Sequence, residues 1–278
     1  MSDRAILVER AGLQSLVVDR GRFGLRHQGV AWCGAMDPRS YAIANEIAGN
    51  AEGAAAVEIV LGDAIVSFEV PARFALGGAD CGAELDGISI ATWTAHSANA
   101  GSRLVLRRPR AWMRTVLAIE GGIDVPPVLG SRTTDLTAAM GGFAGRALRA
   151  GDRLLLGSPA GPARRRSVEP PQIDFVLRTL PQSLAEHVWG RTWTVGHQSN
   201  RMGYRLNGAA TPHQLGSMRS HAVFPGFIQL PPSGEPIVLM SDAQTTGGYP
   251  LAGVVIEEDL WMLGQAPIGA EVRFVPWT

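Results

Sequence analysis

Lysine is absent from this 278-residue chain: all 25 of its basic side chains are arginine. That absence removes a phosphate-loop lysine, a Schiff-base lysine and any lysine able to carry biotin or lipoate covalently. A genomic bias toward arginine would account for the composition, and the chemical exclusion holds either way. Cysteine is scarce. Cys33 and Cys81 lack metal-ligand spacing, and an isolated pair fits reduced thiols better than a disulfide framework. Net charge is also missing, since 25 acidic residues balance 25 basic ones. No global field therefore favours nucleic acid, an anionic membrane or an acidic partner. The one basic run, ARRRS at 163–167, follows GSPAGP and reads as a solvated linker.

No apolar run approaches the roughly 18 residues of a membrane span. The opening MSDRAILVERAG places charges where a signal peptide would have its apolar stretch, so the expected location is cytoplasmic. The motifs G-x-S-x-G, H-E-x-x-H, C-x-x-C and G-x-x-x-x-G-K-[ST] are all missing. The six histidines, His27, His96, His187, His197, His213 and His221, show no tight metal pattern. A self-contained hydrolase, metalloenzyme or kinase is accordingly disfavoured, and no metal is expected.

What is present is turn chemistry and short β runs. Hydrophobic residues make up 46% of the chain and charged residues 18%, the balance of an ordinary globular protein rather than a disordered one. The segments AIVSFEV, RFALGG, SRLVLRR and RTVLAIEGG alternate or are rich in β-branched residues, and Gly, Pro or Asp bound them. Thirty-four glycines and 18 prolines suit many short strands joined by tight loops.

Two segments read as helices. DPRSYAIANEIAGN (37–50) has Asp37 as N-cap, Pro38 at the first helical position and Gly49 near the stop. PQSLAEHVWG (181–190) is a shorter candidate. Glu257, Glu258 and Asp259 are expected to cap the short segment DLWML. The run GSPAGPARRRSVEPPQ (157–172) marks the expected boundary between a lobe at 1–160 and a lobe at 161–278. RALRAGDRLLLG (146–157) and GQAPIGAEVRFV (264–275) echo each other as a turn followed by an alternating strand. The expected fold is therefore mainly β, with two lobes closed by similar turn-plus-strand units.

Several Gly-rich segments carry polar side chains. DRGRFGLRHQGV with CGAMDP (19–37) sets Arg20, Arg22, Arg26 and His27 among glycines, and arginine forks suit carboxylate or phosphate. Surface charges on turns explain the same residues, Asp37 is explained as a cap, and Cys33 as a small buried residue. GSRTTDLTAAMGGFAGRAL (130–148) adds Arg132, and HQSNRMGYRLNG (197–208) adds Asn200, Arg201, Tyr204 and Arg205. SDAQTTGGYP (241–250) follows the apolar run PIVLM with an amide, two threonines, two glycines and a tyrosine. One such segment is a turn, whereas several suggest the lining of one donor-rich cleft.

The blocks VVDRGRFGLRHQGVAWCGAMDP, SRTTDLTAAMGGFAGRALRAGDRLLLG, SNRMGYRLNG, VFPGFIQLPPSGEPIVLMSDAQTTGGYP and GVVIEEDL resemble the biotin-dependent carboxyltransferase family. That family includes the allophanate hydrolase subunit 2-like proteins, the C subunit of prokaryotic 5-oxoprolinase and the carboxyltransferase portion of urea amidolyase. The blocks follow in order from about residue 10 to the C-terminus. The resemblance implies two cyclophilin-like β-barrel lobes with a few short helices. It implies pairing with a B-subunit-like protein of the allophanate hydrolase subunit 1 type, and an A subunit in the 5-oxoprolinase case. It also implies chemistry on a small amide, lactam or urea. ATP or carboxybiotin would come from partner subunits, with nothing bound covalently to this chain.

On this resemblance Gln244, Thr245, Thr246 and Tyr249 are the expected catalytic group. Gly247 and Gly248 offer backbone donors, Arg201 and Tyr204 complete a wall, Arg132 is an anion fork, and His27 joins the substrate-binding set. Four positions depart from the family pattern, in which a serine is expected near Cys33, a tyrosine near Asp135, an aspartate near Asn200 and an arginine at Ala243. A non-catalytic protein that pairs with and controls its partner, as in a family member that counters a kinase inhibitor, is the alternative from another class.

Overall fold

The computed structural model describes residues 4–163, 165–210 and 218–277. His213, and Arg164 within the basic run, lie outside the described residues. The chain divides into two compact units. One comprises the residues up to Arg22 with Asp37–Pro171, the other Phe23–Met36 with the residues from Gln172 onward. The passage at Pro171–Gln172 falls within the Pro- and Gly-rich stretch at 157–172. Fourteen residues of the N-terminal half are nevertheless part of the second unit (Phe23–Met36), where Met36 joins the core.

Among the described residues the first unit holds eleven strands: β1 Ala5–Ala11, β2 Gln14–Val18, β3 Ala56–Val60, β4 Ala64–Phe68, β5 Ala72–Gly78, β6 Glu84–Leu85, β7 Ile88–Ser89, β8 Ala95–Ala98, β9 Arg103–Leu106, β10 Arg114–Ile119 and β11 Arg153–Leu155. They form a six-stranded sheet, β11-β1-β4-β9-β6-β7, and a five-stranded sheet, β2-β3-β10-β5-β8. One apolar core takes side chains from both sheets, with Phe68 and Phe74 meeting at 5.2 Å between ring centroids.

Helix α1, Pro38–Ala48, packs on β5 and β10, which explains why every residue of β10 is buried. Gly77 permits that approach, because a Cβ there would stand 2.7 Å from the Ser40 carbonyl oxygen. The helix is capped as the sequence predicts. Asp37 Oδ1 accepts the Ser40 amide at 2.8 Å, and Gly49 stops the helix at a φ of 78°.

The second unit is a closed barrel in the order β12-β19-β16-β17-β14-β13-β20. Its strands are β12 Val176–Pro181, β13 Thr192–Val195, β14 Gly203–Gly208, β16 Phe227–Gln229, β17 Ile237–Leu239, β19 Leu251–Val255 and β20 Glu271–Pro276. A two-stranded ladder, β15 His221–Ala222 with β18 Thr246–Gly247, stands beside it. Trp193, Leu206, Val238 and Phe274 fill the interior at 2% exposure or less, each contributing about 1.5–3 kcal/mol by burial.

Helix α2, Glu257–Gln265, buries Trp261, Met262 and Leu263 in the same core. Its three acids occupy the first turn, where the helix dipole favours negative charge. Asp259 also holds the Arg178 guanidinium with both oxygens, at 2.7 and 2.9 Å. The helix expected at 181–190 is instead a single turn at Ala185–His187. Strand β12 runs through Pro181, and Leu184, Ala185 and Val188 are pulled into the structure around that turn, so tertiary packing overrides a weak local preference.

The two echoed segments each end a unit. β11 borders β1 after a turn at Gly151 (φ 91°), and β20 closes the barrel after a turn at Gly269 (φ 87°). Among the described residues no helix is long and apolar enough to cross a membrane.

Candidate functional site

In the barrel, the loop after β17 is SDAQTTGGYP, and most of its anchors are backbone groups. The Asp242 amide donates to the Arg201 carbonyl at 2.9 Å, and the Met240 amide to Met202 at 3.0 Å. Asp242 and Arg201 form a two-point ion pair, 2.9 Å at each contact, with both side chains under a tenth exposed. Arg201 Nη2 also donates to the Gly34 carbonyl at 2.7 Å. The segments HQSNRMGYRLNG and SDAQTTGGYP are thereby held together.

The segment 23–36 fastens the loop from a second side. The Cys33 amide donates to the Ser241 carbonyl at 3.0 Å, and Ser241 Oγ to the Ala35 carbonyl at 3.2 Å. Arg26 reaches the carbonyls of Val223 at 2.5 Å and Gln244 at 2.6 Å, and that of Ala243 at 3.4 Å. Its guanidinium carbon lies 5.5 Å from the Trp32 ring and 5.1 Å from the Phe224 ring. Burial among these groups lowers the Arg26 pKa from its usual value.

Two clefts open beside this loop. The smaller, about 170 Å³, is lined by Asn200, Met202, Gly203, Arg205, Gln229, Ile237, Leu239, Gln244 and Tyr249. The larger, about 410 Å³, lies next to it and shares Arg205, Ile237 and Tyr249, with His197, Asn207 and Glu235 among its other walls. Of the residues singled out in the sequence, Asn200, Arg205, Gln244 and Tyr249 line the smaller cleft, and Arg205 and Tyr249 stand at both.

The remaining expected residues are placed otherwise. Thr246 and Gly247 spend their backbone in the ladder with Ala222 and His221, and the Thr245 carbonyl accepts the Val223 amide at 3.1 Å. Neither threonine, nor Gly247 or Gly248, lines either cleft. Tyr204 is 1% exposed within the barrel core, and Arg201 is committed to Asp242 and Gly34. Both are structural supports of the wall rather than its surface.

His27 is exposed on a single turn at Arg26–Gln28, 3.2 Å from the Gln28 amide. Arg132 belongs to the first unit. Its Nε donates to the Val125 carbonyl at 2.9 Å, and Asp124 is its distant ion partner at 3.8 Å. In that unit the loop 130–148 is built around Asp19 and Arg22. Asp19 accepts from Ser131 Oγ at 2.6 Å, and Arg22 donates to Thr133 at 2.6 Å. Ala243, where the resemblance led to the expectation of an arginine, is fully buried with Val223 and Leu239. Its side chain faces apolar neighbours, not a cleft.

Sequence reasoning missed Gln229. The signal was present in GFIQLPP as a single amide inside an apolar strand, and a polar residue there needs a reason to be buried. Gln229 is 2% exposed, and its Nε2 is buried with no hydrogen-bond partner. Among the described residues no three His, Cys, Asp or Glu side chains group closely enough to hold a metal ion.

A family model described as "Carboxyltransferase domain, subdomain A and B" matches residues 28–276. The C subunit of 5-oxoprolinase from Escherichia coli (strain K12) is 44% identical over 280 residues, covering 96% of this chain and 89% of that protein. The corresponding 5-oxoprolinase protein of Haemophilus influenzae is 37% identical over 270 residues, covering 94% and 87% respectively. The crystal structure of the K. lactis urea amidolyase is similar at a TM-score of 0.91 and 28% identity. That match covers 99% of this chain and 19% of the longer one.

Proposed function

Since the chain belongs to the carboxyltransferase domain family, subdomains A and B, we propose that it is the C subunit of an ATP-dependent 5-oxoprolinase, opening the lactam 5-oxoproline to glutamate together with partner subunits. Membership of a 5-oxoprolinase or carboxyltransferase-type enzyme follows from the relatives themselves. The choice of 5-oxoprolinase rests chiefly on one observation: the C subunit of the E. coli enzyme matches at 44% identity along nearly the whole of both chains.

The donor-lined cleft supports the same reading. Its polar side chains are amides, an arginine and a tyrosine, groups that hold and orient a small polar substrate. In this reading Gln244 donates to a substrate carbonyl and to the charge that develops on it, and Tyr249 shields that point from water. Nucleotide activation belongs to a partner, because this chain has neither a lysine nor a phosphate loop containing one. The partners proposed are a B-subunit-like protein and an A subunit.

Carboxyl transfer to a urea-like nitrogen is the second reading, favoured by the likeness to the K. lactis urea amidolyase. With no lysine in the chain, carboxybiotin would arrive on a separate carrier.

The test is glutamate release from 5-oxoproline and ATP by the complex reconstituted with its partner subunits. Substrate-dependent release is expected, and Gln244→Ala is expected to lower it by about 100-fold. Unchanged turnover in an intact Gln244→Ala complex would instead make this loop non-catalytic and favour a binding or regulatory subunit. Dependence on a biotinylated carrier, with no glutamate formed, would favour carboxyl transfer.

A further inference from the structure

We infer that Gln229 is the residue that recognises the substrate amide, through a two-point pairing that admits only ligands whose N–H and C=O lie on the same side. The inference rests on the reading of this protein as a subunit acting on an amide, and it names the recognising group and the class of ligand admitted.

Three observations converge on Gln229. Its side chain lines the 170 Å³ cleft, is 2% exposed, and keeps Nε2 buried without a hydrogen-bond partner. An unpartnered buried polar group costs roughly 1–3 kcal/mol, a cost that a ligand offsets when the amide turns the buried Nε2 out to the cleft. The ladder between β16 and β19 shifts register between Ile228 and Gln229, where β19 carries the extra residue, Ala252. Residues 228, 229 and 230 are buried in succession, where regular alternation would send one of them outward. Bulges of this kind are common beside functional sites. Gly247 leaves the room the amide needs, since a Cβ there would stand 2.2 Å from Gln229 Nε2.

The chemistry selects the ligand. A primary carboxamide presents a donor N–H and an acceptor C=O side by side. Its complement is a group with the same arrangement, so that two hydrogen bonds close a ring. Lactams, being cis amides, have it, and so do ureas and primary amides. A trans secondary amide, the ordinary peptide geometry, points its N–H and C=O in opposite directions and can make only one of the two bonds. The cleft is also far smaller than the roughly 300–1,000 Å³ of sites for drug-sized ligands, which suits a single small ring. Ile237 and Leu239 supply apolar wall for such a ring. Arg205, which has no ion-pair or side-chain hydrogen-bond partner among the described residues, stands at the same cleft for a carboxylate on the ligand.

The experiment measures binding first and turnover second. Saturation-transfer NMR is run on the full chain, alone and with its partner subunits, using 2-pyrrolidinone, 5-oxoproline, N-methyl-2-pyrrolidinone and the trans amide N-methylacetamide. The expected order places the two N–H lactams about ten-fold or more above the N-methyl lactam and the trans amide. Gln229→Leu is expected to abolish the preference for the free N–H while leaving the thermal midpoint unchanged or higher, because it removes an unpartnered polar group. Gln229→Glu, which keeps the shape and one acceptor but loses the donor, is expected to weaken lactam binding by a similar factor and serves if the leucine variant does not fold.

Equal binding of both lactams by the parent chain, retained selectivity in either variant, or no lactam binding in either format would overturn the inference. Selective binding through Gln229 without glutamate formation would overturn the 5-oxoprolinase reading and leave the inference standing. Turnover of 5-oxoproline by the Gln229→Leu complex at unchanged kcat and KM would do the reverse.

Discussion

At the scale of single residues, what each side chain can do follows from its surroundings more than from its type. Arg201 and Arg205 lie four positions apart in one segment, yet the first is buried against Asp242 while the second stands at the cleft. Cys81 makes the same point. It is fully buried, and that burial pushes its thiol up to about 11, above the ordinary thiol value of about 8.5. The folded state therefore holds the proton more tightly than the unfolded state. Its contribution to stability is fully present below about pH 8.5 and is lost as the pH rises toward about 11. Urea midpoints should fall across that interval in the parent protein and fall less in Cys81→Ala. Equal slopes would mean that Cys81 does not titrate as its burial requires.

At the scale of elements, the loop SDAQTTGGYP is held by the elements around it. Strand β14 follows the segment that carries Arg201, the segment 23–36 brings Gly34, Ala35 and Arg26, and β15 pairs with β18. The Arg201–Asp242 pair is the charged part of this frame. Breaking such a buried pair leaves one charge without its partner, so Asp242→Ala should cost about 3–5 kcal/mol in urea denaturation. Replacing both partners, with Arg201→Met and Asp242→Leu together, should recover a large part of that loss. A double variant as unstable as the single one would assign the loss to the backbone of the loop instead. The two threonines of this loop line neither cleft, for a related reason. At a loop position where the backbone forms a ladder, hydroxyls and amides say little about which way the side chain faces.

At the scale of the molecule, the second unit is discontinuous in sequence. Met36 sits in its core and Arg26 on its loop, although both precede the bulk of the first unit. A fragment starting at Gln172 therefore lacks part of its own structure. It should fail to show a cooperative unfolding transition, or show one at a midpoint well below that of the second unit in the intact chain. Fusion of residues 23–36 to its N-terminus through a flexible linker should raise the midpoint. A fragment as stable as the intact unit would make the segment dispensable. Composition could not reveal this arrangement, because the Pro- and Gly-rich stretch at 157–172 marks where the chain changes unit only once.

The sequence by itself determined the things that depend on local chemistry and on what residues are present. The β character, the capped helix at Pro38–Ala48, the paired turn-and-strand endings, and the impossibility of a lysine-borne cofactor all follow from neighbours in the chain. The resemblance to the carboxyltransferase family is legible for the same reason, as long motifs in fixed order. Only the tertiary structure decided which polar residues meet. Gln229 is 15 residues from Gln244 and 24 from Arg205, and a lone amide in an apolar strand does not show locally which residues it meets. A register shift between β16 and β19, a glycine beside its amide and a closed barrel accompany its place at the wall of a cleft. Those are pairings between distant strands, set by packing over the whole barrel rather than by any residue's own preference.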